Sequence, residues 1–215
     1  SEMCIRDSIT HDKDSLMKKP HIPHPVESLV LSKIPAAVKE RASLIELVIF
    51  DVDGVLTDGG LYYTANGENQ KRFHALDGHG LKMLKQSGIE VALITGRQSE
   101  ITTRRSAELG ITHLLQNVRN KAEALVELSK TLAIDLERVA FIGDDVIDLP
   151  AMRRVGLALS VPNAPVYVQQ AADWVSQLAG GHGAAREHCD MILASQGLLG
   201  PLLSHEQPMI GEVIQ

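Results

Sequence analysis

Ile45-Glu46-Leu47-Val48-Ile49-Phe50-Asp51-Val52-Asp53-Gly54-Val55-Leu56-Thr57-Asp58-Gly59 decides how the rest of the chain is read. An almost unbroken apolar run of strand length, with β-branched Val48 and Ile49 at its centre, leads into two carboxylates one residue apart and then a glycine-marked bend. Apolar residues on both sides of the pleat predict a central strand of a parallel sheet covered on both faces. Ligands of such sheets collect beyond the carboxyl ends of the strands, so Asp51 and Asp53 are the first site candidates.

Outward from this stretch the chain alternates. Leu61-Tyr62-Tyr63-Thr64 and residues 70–75 flank Asn66-Gly67, predicting a hairpin that projects over the strand ends. Asp77-Gly78-His79-Gly80 opens a predicted helix through Leu81, Met83 and Leu84 that stops near Gly88. Residues 89–94 read as a second buried strand entering Thr95-Gly96-Arg97, and a helix over about 99–109 follows, stopped by Gly110. A short strand at 113–116, a helix over 120–132 and a strand at 138–142 lead into Gly143-Asp144-Asp145-Val146-Ile147-Asp148. Weaker strands at 157–161 and 173–175 enclose a helix over 165–171, and a last helix over 184–194 follows Gly180-Gly181-His182-Gly183.

Upstream, Leu29, Val30, Ile34, Val38 and Ala42 recur at helical spacing around Pro35, predicting a short amphipathic lead-in helix. Residues 1–25 have no period and read as a disordered tail, residues 198–215 as a loose one, and 26–197 as a single domain. Repeated β-α alternation implies right-handed crossovers with helices on both faces. The expected fold is therefore α/β: a Rossmann-like three-layer α/β/α parallel sheet with a projecting β-hairpin.

A chain of 215 residues is long enough for one domain with a full core. Aromatics at 3% argue against base stacking, and a net charge of −6 gives no basic footprint for nucleic acid or anionic membrane. The two cysteines, Cys4 and Cys189, form no disulfide framework or metal spacing, and no apolar run approaches the roughly 20 residues that span a bilayer. A cytoplasmic protein without nucleic-acid or membrane partners is expected. Cys189 reads as a small core residue, and His74, His79, His182 and His188 as satisfied or exposed side chains.

Three strands thus end in polar signatures, and in a parallel sheet those ends share one edge. Lys121, at the start of the helix after the third strand, falls on the same edge. Asp51, Asp53, Asp144, Asp145 and Asp148 would set several like charges close together, which requires a compensating cation or proton. All-oxygen ligands without cysteine favour a hard cation, most simply Mg²⁺. Mg²⁺ with a lysine and a threonine hydroxyl suits phosphoryl chemistry, in which one Asp attacks and a second moves protons. Singly, each motif has a plainer explanation: an acidic pair after a strand is often a helix cap or solvated turn, and a lysine a surface charge.

Taken together, Asp51-Val52-Asp53-Gly54-Val55-Leu56-Thr57, Thr95-Gly96-Arg97, Lys121 and Gly143-Asp144-Asp145-Val146-Ile147-Asp148 resemble the four motifs of the haloacid dehalogenase superfamily over residues 45–150. The resemblance implies Asp51 as nucleophile, Asp53 as general acid/base, and Thr95, Gly96 and Lys121 as phosphate contacts. Mg²⁺ would be held by Asp51, the Asp53 backbone carbonyl and Asp144, with Asp148 or Asp145 in support. Only 41 residues separate Asp53 from Thr95 and 22 separate Lys121 from Asp144, which leaves no room for the cap domain of many relatives.

Within the superfamily, residues 28–197 resemble the capless 3-deoxy-D-manno-octulosonate 8-phosphate phosphatases, through the hairpin with Asn66-Gly67-Glu68, Asp77-Gly78-His79-Gly80, Leu109-Gly110-Ile111-Thr112-His113 and residues 179–187. That family implies a sugar-acid phosphate substrate, a homotetramer with packed hairpins, and Arg97 and Arg186 as contacts for the substrate's anionic groups. A phosphatase for a nine-carbon sialic-acid-type sugar phosphate shares the same core. A signalling receiver domain also groups Asp, Thr and Lys, but its phosphorylated Asp follows a later strand and lacks an acid two positions on. A catalytically idle partner of a synthase would leave the acid cluster without purpose.

Overall fold

The structure is a computed structural model and describes residues 24–204. Cys4 and nearly all of the expected disordered tail lie outside the described residues, as does the chain beyond residue 204. The elements are α1 (Pro25–Leu31), α2 (Ala36–Ala42), β1 (Leu47–Phe50), β2 (Tyr62–Thr64), β3 (Gly67–Gln70), α3 (Ala75–Gln86), β4 (Glu90–Ile94), α4 (Glu100–Glu108) and β5 (His113–Leu115), then α5 (Lys121–Leu132), β6 (Val139–Ile142), α6 (Leu149–Met152), β7 (Leu157–Ser160), α7 (Val166–Ala171), β8 (Trp174–Val175), α8 (Ala184–Ser195) and α9 (Leu199–Leu203).

Six strands form a parallel sheet in the order β5-β4-β1-β6-β7-β8. Leu47, Val48, Ile49 and Phe50 are fully buried, which β1 achieves by lying between β4 and β6 with helices on both faces. Val48 and Phe50 join the core formed with α2, α3 and α8, while Leu47 and Ile49 join the one formed with α5, α6 and α7. Phe50 pairs with Leu93 and Ile142, so the chain leaves β1, β4 and β6 almost side by side. Chain order reverses between β1 and β6, the topological switch at which such sheets hold ligands.

Three local expectations change, and one further stretch takes shape. Pro35 splits the lead-in segment into two helices, because it has no N–H to continue the first and becomes the N-cap of the second. The second hairpin strand is Gly67–Gln70 rather than residues 70–75: Thr64 pairs with Gly67 across a tight turn, and Ala75 already begins α3. The stretch after Asp145 forms a short 3₁₀ turn (Val146–Asp148) before α6. Residues 199–203, expected to be loose, form α9, held by burial of Leu199 and by Glu27, which accepts hydrogen bonds from Gly200 N (2.7 Å) and His24 N (3.0 Å).

Asp77 has a role that its place in a helix-opening motif did not suggest. From α3 its carboxylate accepts from the backbone N–H groups of Gly183 (3.3 Å) and Arg186 (2.9 Å), capping α8 across a helix-helix interface. Asp77→Ala would leave two N–H groups unpaired at a largely buried helix start, an expected cost of about 1–3 kcal/mol. A lowered urea midpoint with an unchanged slope checks this, and Asp77→Asn should recover part of the loss.

Candidate active site

Asp51 is the first residue past β1, anchored by its own N–H to Ile142 O at 2.9 Å, and its carboxylate is buried. Oδ1 accepts from Val52 N at 2.7 Å, and Oδ2 lies 2.9 Å from Lys121 Nζ. Lys121 reaches this point because Asn120, whose side chain accepts from Glu123 N, starts α5 at the same sheet edge. The ammonium also donates to Asp148 Oδ1 at 2.6 Å. Burial works to lower the Lys121 pKa, but Asp51 and Asp148 outweigh it and hold the group charged. Asp148, fully buried, takes the backbone N–H groups of Asp144 and Asp145 on Oδ2, both at 3.1 Å.

Asp144 completes the cluster. Two glycines let the acids approach: a Cβ on Gly54 (φ +92°) would fall 2.0 Å from Asp144 Oδ2, and one on Gly143 would fall 2.5 Å from Asp148 Cβ. Asp51, Asp144 and Asp148 each offer a carboxylate oxygen within 4.8 Å of the others. Burial, then Asp51 and Asp148, pushes the Asp144 carboxyl up to about 8. Burial likewise raises Asp51 to about 7 against the pull of Lys121, with Asp148 adding to the rise. Asp144 Oδ1 is buried without a hydrogen-bond partner among the described residues. An orphaned buried oxygen and two acids displaced upward mark a missing positive charge, and an all-oxygen donor set fits a hard divalent cation such as Mg²⁺.

The other expected residues separate into near and far. Thr95 is buried just past β4, with its hydroxyl accepting from Arg97 N at 3.2 Å and exposed Gly96 between them. The Asp53 carboxylate lies outside the acid triad and is ion-paired to Lys71. Asp145 is exposed and also outside the triad; its side chain caps the 3₁₀ turn by accepting from Val146 N at 2.7 Å, a geometry that aims it away from the cluster. Arg97 donates to the Tyr63 hydroxyl and lies 5.7 Å from the centre of that ring. Arg186 is turned to Asp190 on its own helix (2.8 Å) and is not brought to the acids, because the register of α8 lays it over Gly80 of α3.

Sequence reasoning missed the roles of Glu68 and Lys71, whose only signal was membership of a hairpin expected above the strand ends, and of Ser99, which read only as the start of a helix. Ser99 caps α4 (Thr102 N to Oγ, 3.3 Å) and donates to Glu68. Burial works to raise the Glu68 pKa, but the hydrogen bond from Ser99 and the charges of Lys71 and Arg97 hold it below its ordinary value. Asn163 was also missed: it ties the first motif to the glycine-rich loop, donating to Gly54 O at 3.0 Å and accepting from Gly180 N at 2.8 Å. Among the described residues, no helix is long and apolar enough to cross a membrane.

Comparison with known proteins agrees with this geometry. Residues 100–187 match the haloacid dehalogenase-like hydrolase family. A 3-deoxy-D-manno-octulosonate 8-phosphate phosphatase of Escherichia coli K12 is 48% identical over 166 residues, covering 77% of this chain and 88% of the relative. The crystal structure of the corresponding phosphatase of Moraxella catarrhalis, in complex with magnesium ion, phosphate ion and KDO, is 43% identical, with a TM-score of 0.77 over 79% of this chain and 98% of that one. That of the Yersinia pestis phosphatase is 45% identical, with a TM-score of 0.75 over 76% and 89%. With its parallel sheet, its strand-end acids and relatives matched over most of their length, the chain belongs to the 3-deoxy-D-manno-octulosonate 8-phosphate phosphatase family of haloacid dehalogenase-like hydrolases.

Proposed function

We propose that this protein is a magnesium-dependent phosphatase that hydrolyses 3-deoxy-D-manno-octulosonate 8-phosphate to the free sugar acid and phosphate, in lipopolysaccharide precursor synthesis. The observation that carries the proposal is the buried Asp51 carboxylate at the end of the central strand, held against Lys121 and within reach of Asp144 and Asp148. Asp51 attacks phosphorus, and the bond from phosphorus to the sugar oxygen breaks as Asp53 donates a proton to that oxygen. Asp53 then takes a proton from water, whose oxygen attacks the aspartyl-phosphate and regenerates Asp51. Lys121 and the Thr95 hydroxyl offer fixed positive charge and a hydrogen bond to the phosphoryl oxygens. Asp51 and Asp144, with Asp148 beside them, would hold Mg²⁺, which supplies positive charge where the phosphoryl group gains negative charge.

Phosphate release from the eight-carbon ester, compared with a nine-carbon sialic-acid-type ester, tests the substrate. Equal rates on both would overturn the narrow assignment. EDTA should reduce turnover to background and added Mg²⁺ restore it; activity that survives chelation would contradict the role given to the triad. We also read the assembly as a homotetramer and its compartment as the cytoplasm. Exposed Leu61, Tyr62 and Tyr63 on the hairpin support association through that face, and the two-cysteine composition fits a reducing compartment. Light scattering on the purified protein measures the first, and cell fractionation the second.

A further inference from the structure

We propose that Lys71 and Glu68 are positioning residues for Asp53, acting through a closed ring of alternating charge that runs Asp53, Lys71, Glu68, Arg97 and back to Asp53. The proposal rests on the proton-transfer role assigned to Asp53 above. Lys71 Nζ is paired with Asp53 Oδ1 and lies 3.2 Å from Glu68 Oε1. The same Glu68 oxygen is 3.6 Å from Arg97 Nη2, and Arg97 Nε faces Asp53 Oδ2 at 3.8 Å. Two carboxylates and two cations therefore join three separate segments: the bend after β1, the end of the hairpin and the loop after β4.

An exposed ion pair of this kind would stabilise little. Here the Lys71 side chain is only 2% exposed, on a hairpin whose β2 residues are all exposed, so these two carboxylates take the place of water around its ammonium. The hairpin does not need the ring to reach the body of the protein. An isolated antiparallel bridge between Thr57 and Phe73 pins its far end, and Ser99 holds Glu68. What the ring adds is direction. With Oδ1 of Asp53 engaged by Lys71 and Arg97 Nε beyond hydrogen-bond distance, Oδ2 is the oxygen left to exchange a proton. Arg97 Nε is itself buried without a hydrogen-bond partner among the described residues, so it confines Oδ2 by charge without engaging it in a hydrogen bond. A flexible carboxylate two residues past the nucleophile thereby acquires one orientation, and geometry within hydrogen-bond reach of the leaving oxygen is the first requirement of a general acid.

The test separates proton delivery from substrate binding. In the natural ester the bridging oxygen leaves with a proton from Asp53 Oδ2. In an analogue with sulfur at that bridge the thiolate leaves without one, while every other contact is the same. Lys71→Met should lower kcat/KM on the oxygen ester by about tenfold or more and on the sulfur ester by less than about threefold. Glu68→Gln should act in the same direction, and Lys71→Arg should restore most of the loss. Phenyl and 4-nitrophenyl phosphate, a poor and a good leaving group, repeat the comparison without the sugar. Equal losses on both members of a pair would show a binding or folding role and overturn the proposal, as would no loss on either. If Lys71→Met fails to fold, Glu68→Gln carries the same comparison. Wild-type protein inactive on every ester would instead defeat the phosphatase reading and leave the ring without a reaction to serve.

Discussion

Asp51→Asn is expected to lower phosphate release by more than about 10³-fold while leaving the fold intact, because a carboxamide oxygen cannot attack phosphorus and carry the phosphoryl group. Stability should not suffer in the same variant. Asp51, Asp144 and Asp148 crowd their oxygens within 4.8 Å with Lys121 as the cation between Asp51 and Asp148, so removing one negative charge relieves repulsion as well as removing one partner of Lys121. Thermal melting in EDTA is therefore expected to show a midpoint equal to or above that of the parent, with circular dichroism unchanged. Steady-state turnover by the variant within tenfold of the parent would refute Asp51 as nucleophile. A cold, unfolded variant would instead mean that Lys121 depends on Asp51 more than on Asp148.

This separation of activity from stability follows from features that the sequence displayed unevenly. The fully apolar run of β1 could only be a strand buried on both faces, and three such runs ending in Asp51, Thr95 and Asp144 follow from the parallel sheet that such strands require. Register then did what composition could not: pairing Phe50 with Leu93 and Ile142 brings residues far apart in the chain to one edge. Only the family resemblance set Asp144 ahead of its neighbour Asp145, since the local residues by themselves do not say which side chain turns inward. Backbone geometry decides it, sending Asp145 out to cap a turn while Gly54 makes room for Asp144.

The charge ring was illegible for a related reason. Glu68 and Lys71 sit three apart on a polar segment, the ordinary appearance of a solvated hairpin, and only the fold of that hairpin back over β1 and β4 gives them Asp53 and Arg97 as partners. Arg186 shows the converse. The family resemblance implies a substrate contact, while within this chain the helix register turns the guanidinium to Asp190.

His188 leads to the other large expectation, a loss of stability in acid. The imidazole is fully buried in α8, edge-on to Trp174 with ring centres 5.1 Å apart, and its Nε2 lies 3.1 Å from Ser160 O. That contact places the proton on Nε2 as donor, leaving Nδ1, which is buried without a partner among the described residues, as the atom that must take a second proton. Burial lowers the His188 pKa from 6.5 to about 3, offset in part by the Ser160 carbonyl. Above pH 6.5 neither folded nor unfolded chain binds this proton and the group is silent. As pH falls from there toward 3, the unfolded chain binds it and the folded one does not, so stability falls by about 1.4 kcal/mol per unit, roughly 4–5 kcal/mol in all. Asp51 and Asp144 act with the opposite sign when no cation is bound, since their raised values favour the folded state in acid and lose that contribution as pH rises. The measurement is therefore a difference: urea unfolding of the parent and of His188→Gln, whose amide keeps a donor for Ser160 but does not titrate, from pH 7 to pH 4 with EDTA in both. The acids cancel, and the parent should lose about 1.4 kcal/mol per unit more than the variant below pH 6.5; parallel curves would show that the imidazole finds a way to charge inside the fold.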